Sequence, residues 1–196
     1  MPQVEQLFGL AGAVQSDVAA LAVSIGPGSF TGLRIGLTTA KTLAYAWGKP
    51  IVGAPTLEAL AYGCPCADGW VAALLDAQKG RVYRAIYRWQ AGRLCEVSPV
   101  EIAPATAVVA ELAALPAPVM VVGESVREHR ALIDATNGRV VAAPEAALMP
   151  RAAVVALLGY EKWQQGTAVR PEELNPFYVR RAEAEELWER RLREQA

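Results

Sequence analysis

The segment from Ser24 to Lys41, SIGPGSFTGLRIGLTTAK, constrains this chain more than any other. A short apolar run, Ala20 to Ile25, stops at Gly26-Pro27-Gly28 and gives way to a helical pattern. A glycine turn between a buried strand and a helix is the hallmark of a βαβ unit, which demands a parallel sheet. The helix that follows carries Gly32, Gly36, Ala40 and Ala44, spaced by four. That spacing puts them on one face. Each interior glycine costs about 1 kcal/mol relative to alanine, and close approach of another backbone is the natural compensation. A second stripe, Thr31, Arg34, Thr38, Lys41 and Tyr45, is polar, while Phe30, Leu33, Leu37 and Trp47 form the apolar side. The segment therefore reads as a docking surface first and an anion-binding loop second. A phosphate site at such a turn would use amide N–H groups and the helix dipole. This turn lacks the P-loop lysine and the dinucleotide spacing, and Pro27 removes one donor.

Charge is distributed unevenly. Net charge is -1, which excludes electrostatic steering of the whole chain to nucleic acid. Residues 1 to 69 hold only Glu5, Asp17, Arg34, Lys41, Lys49, Glu58 and Asp68, seven of the 39 charged side chains (19 basic plus 20 acidic). A charge-poor first third is either deeply buried or covered by a partner. No run approaches the roughly 18 apolar residues of a membrane span, and the N-terminus has no signal-peptide pattern. The expectation is a cytoplasmic protein without membrane contact.

The remaining pattern alternates strands and helices. Helices are expected at Pro2 to Ala13, with Val4, Leu7, Phe8 and Ala11 in register, and at Thr31 to Trp47, closed by Gly48. A third runs from an N-cap at Thr56 to Tyr62, and others cover Thr106 to Leu115, Glu124 to Ala135 and Arg151 to Gln165. Strands are expected at Leu21 to Ile25, Ile51-Val52, Trp70 to Asp76, Val119 to Val122 and Val140 to Ala142. Val82 to Trp89 and Leu94 to Val97 form a hairpin. Gly63 to Gly69 is the expected boundary, dividing residues 1–68 from 69–196. The tail Arg181 to Glu194 is expected as a charged helix with Leu187, Trp188 and Leu192 on one side, packing back on the first lobe.

Candidate chemistry is sparse. His129, the one histidine, lies between Glu128 and Arg130 and reads as an exposed surface residue. Zinc chemistry needs more ligands than it offers. Asp76 ends a strand and reads as a turn former. Cys64, Cys66 and Cys95 have no adjacent base and read as free thiols. No catalytic, metal or cofactor-binding residue is expected.

Residues 24 to 61, SIGPGSFTGLRIGLTTAKTLAYAWGKPIVGAPTLEALA, resemble the signature of the TsaB (YeaZ) family. Leu75 to Tyr83, LDAQKGRVY, resembles the strand-turn that opens that family's second lobe, and Asn175 to Arg180, NPFYVR, its C-terminal Pro-x-Tyr-x-Arg segment. The resemblance implies an α/β, actin-like, duplicated ribonuclease-H-like fold of two lobes. It implies a non-catalytic scaffold subunit for N6-threonylcarbamoyladenosine at tRNA position 37. The scaffold would pair with a TsaD-like catalytic subunit, work with a TsaE-like ATPase, homodimerise in isolation, and meet tRNA only through the complex. By the same resemblance the docking surface comprises Val4, Leu7, Phe8 and Ala11 on the first helix. On the second helix it comprises Gly32, Arg34, Ile35, Gly36, Thr39 and Ala40. Family members carry further strands before the Gly-Pro-Gly-Ser motif, so the N-terminal lobe is expected to be incomplete, with Leu21 to Ile25 presenting an open apolar edge. The alternative from another class is an ATP-dependent actin-like enzyme, a transferase or hydrolase.

Overall fold

The architecture was obtained as a computed structural model, which describes residues 2–64 and 68–179. The first sheet has two parallel strands, β1 (Leu21–Gly26) and β2 (Ile51–Pro55), joined by α2 (Phe30–Trp47) in a βαβ crossover. Leu21 faces Ile51 and Ala22 faces Val52 in the register. Ahead of them lies α1 (Pro2–Ala11), which buries no residue. On the side away from β2, β1 has no strand partner among the described residues, in line with the open edge expected for Leu21 to Ile25.

The second sheet has five strands in the order β5-β4-β3-β6-β7. Its centre is β3 (Gly69–Asp76), antiparallel to β4 (Arg81–Gln90) and parallel to β6 (Val119–Val122). The far strand β7 (Val140–Ala142) runs parallel to β6, and β5 (Arg93–Pro104) closes the other edge. Val71 to Leu75 are buried on both faces of the sheet, which is why they read as a continuous apolar run rather than an alternating one. Around this sheet lie α3 (Thr56–Tyr62), α4 (Ala105–Ala113) and the short α5 (Ser125–Glu128) and α6 (Arg130–Asp134), whereas α7 (Ala152–Gln164) packs on the first sheet and on α3.

Two apolar clusters result, and α3 enters both. Leu57, Leu60, Ala61 and Cys64 pack into the main core around β3. Ala59 joins Ala54, Val155 and Leu158 in the smaller one, between β2 and α7. Gly159 of α7 lies against β1 so closely that a Cβ there would sit 2.3 Å from the Ala22 Cβ.

Several expectations need correction. Thr56 is not an N-cap; it is the first helical residue, preceded by Pro55. Because β2 runs into α3 without a loop, its hydroxyl is free to bond sideways, 2.6 Å from the Ser24 hydroxyl on β1. The helix expected over Glu124 to Ala135 is two short helices, interrupted at His129 by φ -102° and ψ 18°. His129 is half-buried at that junction rather than exposed. The second hairpin strand runs on to Pro104, well past Val97. Its pairing with β4 is irregular between Arg84 and Tyr87, and Pro99 blunts this edge. The helix expected over Arg181 to Glu194 lies outside the described residues.

Candidate docking surface

Ser29 caps α2, its hydroxyl accepting from the Gly32 N–H at 3.3 Å. Gly48 closes the helix in the left-handed conformation, φ +62°. Leu37 and Ala44 are buried beneath it. The glycine turn itself is occupied from within the chain. Gly26 has φ +118°, and a Cβ on it would lie 2.6 Å from the Phe177 carbonyl oxygen. The Phe177 N–H in turn donates to the Ile25 carbonyl at 2.8 Å. Residues 168–178 thus form a strap across this region, not a cradle for phosphate. Val169 pairs with Ile51 through two backbone bonds of 3.0 Å. Leu174 packs over Gly53. The Lys41 ammonium donates to the Leu174 carbonyl at 3.0 Å.

The residues singled out in the sequence separate into two groups. Gly32, Arg34, Ile35, Gly36 and Thr39 are exposed on α2, Ile35 to 64%. A Cβ at Gly36 would meet nothing within 4 Å. Ala40 is half-buried, and Ala44 is fully buried beneath its own chain. The small-residue stripe is therefore open at its N-terminal half and closed at its C-terminal end. On α1, Leu7 (66%) and Ala11 are exposed, while Val4 and Phe8 are half-buried. Phe8 meets Trp47 of α2 with ring centroids 5.9 Å apart, the contact that places the two helices side by side.

Sequence reasoning missed Leu10 and left Tyr45 of the polar stripe off the docking surface, although each is 80% exposed. It also missed a stack at the start of α2. The Arg34 guanidinium lies 3.9 Å over the Phe30 ring, and Tyr178 of the strap stacks on Phe30 at 5.1 Å. The signal for Leu10 was available in the α1 pattern. Arg34 and Phe30 are four residues apart on one helix and so were within reach of spacing, whereas Tyr178 is too far along the chain to be paired that way.

The remaining candidates are accounted for locally. The Asp76 carboxylate accepts from the Gln78 N–H at 2.7 Å, steadying a turn in which Gln78, Lys79 and Gly80 all have positive φ. Cys64 is buried with its Sγ 3.0 Å from the Met120 sulfur, Cys95 is exposed, and Cys66 lies outside the described residues. Among the described residues no group of three or more His, Cys, Asp and Glu side chains could hold a metal ion. No described helix is long and apolar enough to cross a membrane. Near the first sheet, Tyr62 is strongly perturbed. Its hydroxyl donates to Glu161 of α7. That bond, with burial and the Glu161 charge, pushes it up to about 12.

The family model for TsaD, tRNA N6-adenosine threonylcarbamoyltransferase, matches residues 1–188. The solved structure of a Pseudomonas aeruginosa protein with similarity to the peptidase YeaZ superposes with a TM-score of 0.75 at 29% identity, over 91% of this chain and 82% of that one. Together with the two sheets these matches define the class, a TsaD-type protein of actin-like α/β fold. The tRNA threonylcarbamoyladenosine biosynthesis protein TsaB of Bacillus subtilis is 35% identical over 191 residues, 96% of this chain and 81% of that protein. TsaB of Escherichia coli is 40% identical over 90 residues, 45% of this chain and 39% of that protein. Within its class, this chain belongs to the TsaB (YeaZ) family.

Proposed function

We propose that this chain is a non-catalytic scaffold subunit for threonylcarbamoyladenosine formation at tRNA position 37, acting by binding a TsaD-like catalytic subunit through α1 and α2. The match to TsaB along nearly the whole chain carries the assignment to this modification. The open face at Leu7, Ile35 and Gly36 supports docking as the means: exposed apolar groups flank a helix segment with no side-chain bulk. In this reading residues 1–68 carry the partner helices and residues 69–196 form the second lobe. The same face makes a homodimer in isolation, a TsaE-like ATPase joins the complex, tRNA is met only there, and the site of action is the cytoplasm.

The test is Gly36→Leu. The position is exposed and open, and leucine improves helix propensity by about 0.8 kcal/mol, so the monomer should be at least as stable as the parent. Affinity for the TsaD-like subunit, measured by titration, is expected to fall at least about tenfold, or about 1.4 kcal/mol. Threonylcarbamoyladenosine synthesis in an extract lacking TsaB should fall with it. Unchanged affinity would overturn the docking assignment. Turnover by the isolated chain that is lost in Asp76→Asn would overturn the non-catalytic role.

A further inference from the structure

We infer that a second copy of this chain adds to the outer edge of β1, strand to strand and antiparallel, so that two copies share one four-stranded sheet in the order β2-β1-β1-β2. The inference does not rest on the docking assignment to α1 and α2, which lies on another face.

The first observation is that β1, unlike the other sheet edges, is left ready to pair. Among the described residues the outer edge of β2 is taken by the strap, where Ile51 and Val169 exchange two backbone bonds. The β7 edge offers three residues, Val140–Ala142. The β5 edge carries Pro99 and an irregular register with β4. Short strands, prolines and irregularities are the means by which edges are kept from pairing. From Leu21 to Ser24, β1 has none of them, and its register with β2 is regular over that span. No charged residue lies between Asp17 and Arg34.

The second is the direction of the backbone groups. The Leu21 N–H donates to the Pro50 carbonyl, just before β2, at 3.0 Å. By alternation the N–H and C=O groups of Ala22 and Ser24 point the other way, to the open side. No strand meets them among the described residues. Donors and acceptors at that spacing are matched by another extended backbone.

The third is that the edge complements itself. A twofold axis through Val23 sets Ala22 against Ser24 of the second copy, and Ser24 against Ala22, two pairs that exchange four backbone bonds. Both side chains are small, and the Ser24 hydroxyl is already turned to Thr56 at 2.6 Å. On the other face of the sheet Val23 meets its counterpart and Leu21 meets Ile25, all half-buried in the single chain. Such aliphatic cross-strand pairs stabilise a sheet, and two strands become four.

Charge agrees with the antiparallel direction. It brings the start of one β1, after the turn Gln15–Asp17, beside the end of the other, from which α2 departs. Asp17 is exposed, its carboxylate accepting from the Val14 N–H of its own turn at 2.9 Å. It then approaches the positive end of the second copy's α2 dipole, whereas a parallel pairing would set Asp17 beside Asp17.

The test uses the full chain carrying Gly36→Leu, which closes the α2 face, with Cys66→Ser and Cys95→Ser. Val23→Cys puts a thiol at the axis, where facing Cα atoms stand about 4.5 Å apart, within reach of a disulfide. Leu21→Cys puts it opposite Ile25 of the second copy, away from its own counterpart. Under oxidation with copper phenanthroline, the chain with the thiol at position 23 is expected to give a linked dimer at least about tenfold faster. Adding Ser24→Pro, which deletes an outward N–H, should slow that linkage about tenfold, with thermal unfolding as the check on each fold. Equal rates at positions 21 and 23, or no linkage at either, would overturn the inference. So would Ala22 and Ser24 amides protected from hydrogen exchange in a chain that sedimentation shows to be monomeric, because another segment would then hold the edge. If linkage at position 23 proceeds as expected while Gly36→Leu leaves affinity for the TsaD-like subunit unchanged, the edge pairing stands and the docking assignment falls.

Discussion

At the scale of single residues, Gly26 shows how a motif can look like chemistry and serve packing. In sequence, a glycine between a strand and a helix suggests an anion loop. In the fold its φ of +118° and the Phe177 carbonyl beside it leave no room for a side chain. Alanine there must shift the strap or strain the backbone. Gly26→Ala is expected to cost about 2 to 3 kcal/mol in urea denaturation. A loss below about 0.5 kcal/mol would mean that the strap yields freely. Gly36 behaves oppositely, being equally small but open. The two glycines cannot be told apart by sequence pattern, because the atoms that fill the first site come from Phe177, far along the chain.

At the scale of elements, the short-range features were legible and the long-range ones were not. The βαβ unit, the limits of α2 and the buried run in β3 follow from periodicity and from Gly48, and the fold has them where expected. The strap was invisible, since residues 168–178 have neither helical nor alternating apolar spacing and are held by distant residues, among them Ile51, Lys41, Ile25 and Phe30. Half of the candidate surface was legible for the same reason: helical spacing found Ile35 and Gly36, while Ala44 lies buried at the cleft that α2 shares with the strap. The junction of α3 and α7 is likewise long-range, built from Tyr62 with Glu161 and from the Glu58–Lys162 pair at 3.1 Å. It titrates in a defined direction. The folded state holds the Tyr62 proton up to about 12, whereas the unfolded chain releases it near 10. The unfolded state therefore binds fewer protons between those values, and stability from this contact is intact below pH 10 and declines as pH rises towards 12. Burial, with the Glu58 and Glu96 charges, pushes Tyr87 up as well, so the contributions must be separated by substitution. Tyr62→Phe should lower stability at pH 8 by about 1 kcal/mol and flatten the fall above pH 10. Thermal unfolding of both chains from pH 8 to 11 measures this, and parallel curves would remove Tyr62 from the account.

At the scale of the whole molecule, the weakest part is the one that carries the proposed interface. Two parallel strands alone are not a stable sheet in water, and β1 has no second strand neighbour among the described residues. The first sheet stands because α2 and the strap cover one side and α7 covers the other. The link to the main core is α3, whose Ala59 belongs to the small cluster and whose Leu57 and Leu60 belong to the large one. Shared in this way, the two clusters should unfold together in the parent chain, with near- and far-ultraviolet signals following one transition. Gly159 tests the coupling because α7 seats on β1 across the space where its side chain would be. In Gly159→Leu the helix cannot seat on Ala22, while β3 to β7 and α4 are untouched. The expected result is two transitions in urea. The earlier would report Trp47, and the later would report Trp70 and Trp89 in the main sheet, with a midpoint close to that of the parent. A single transition shifted as a whole would mean that α3 alone binds the clusters into one cooperative unit.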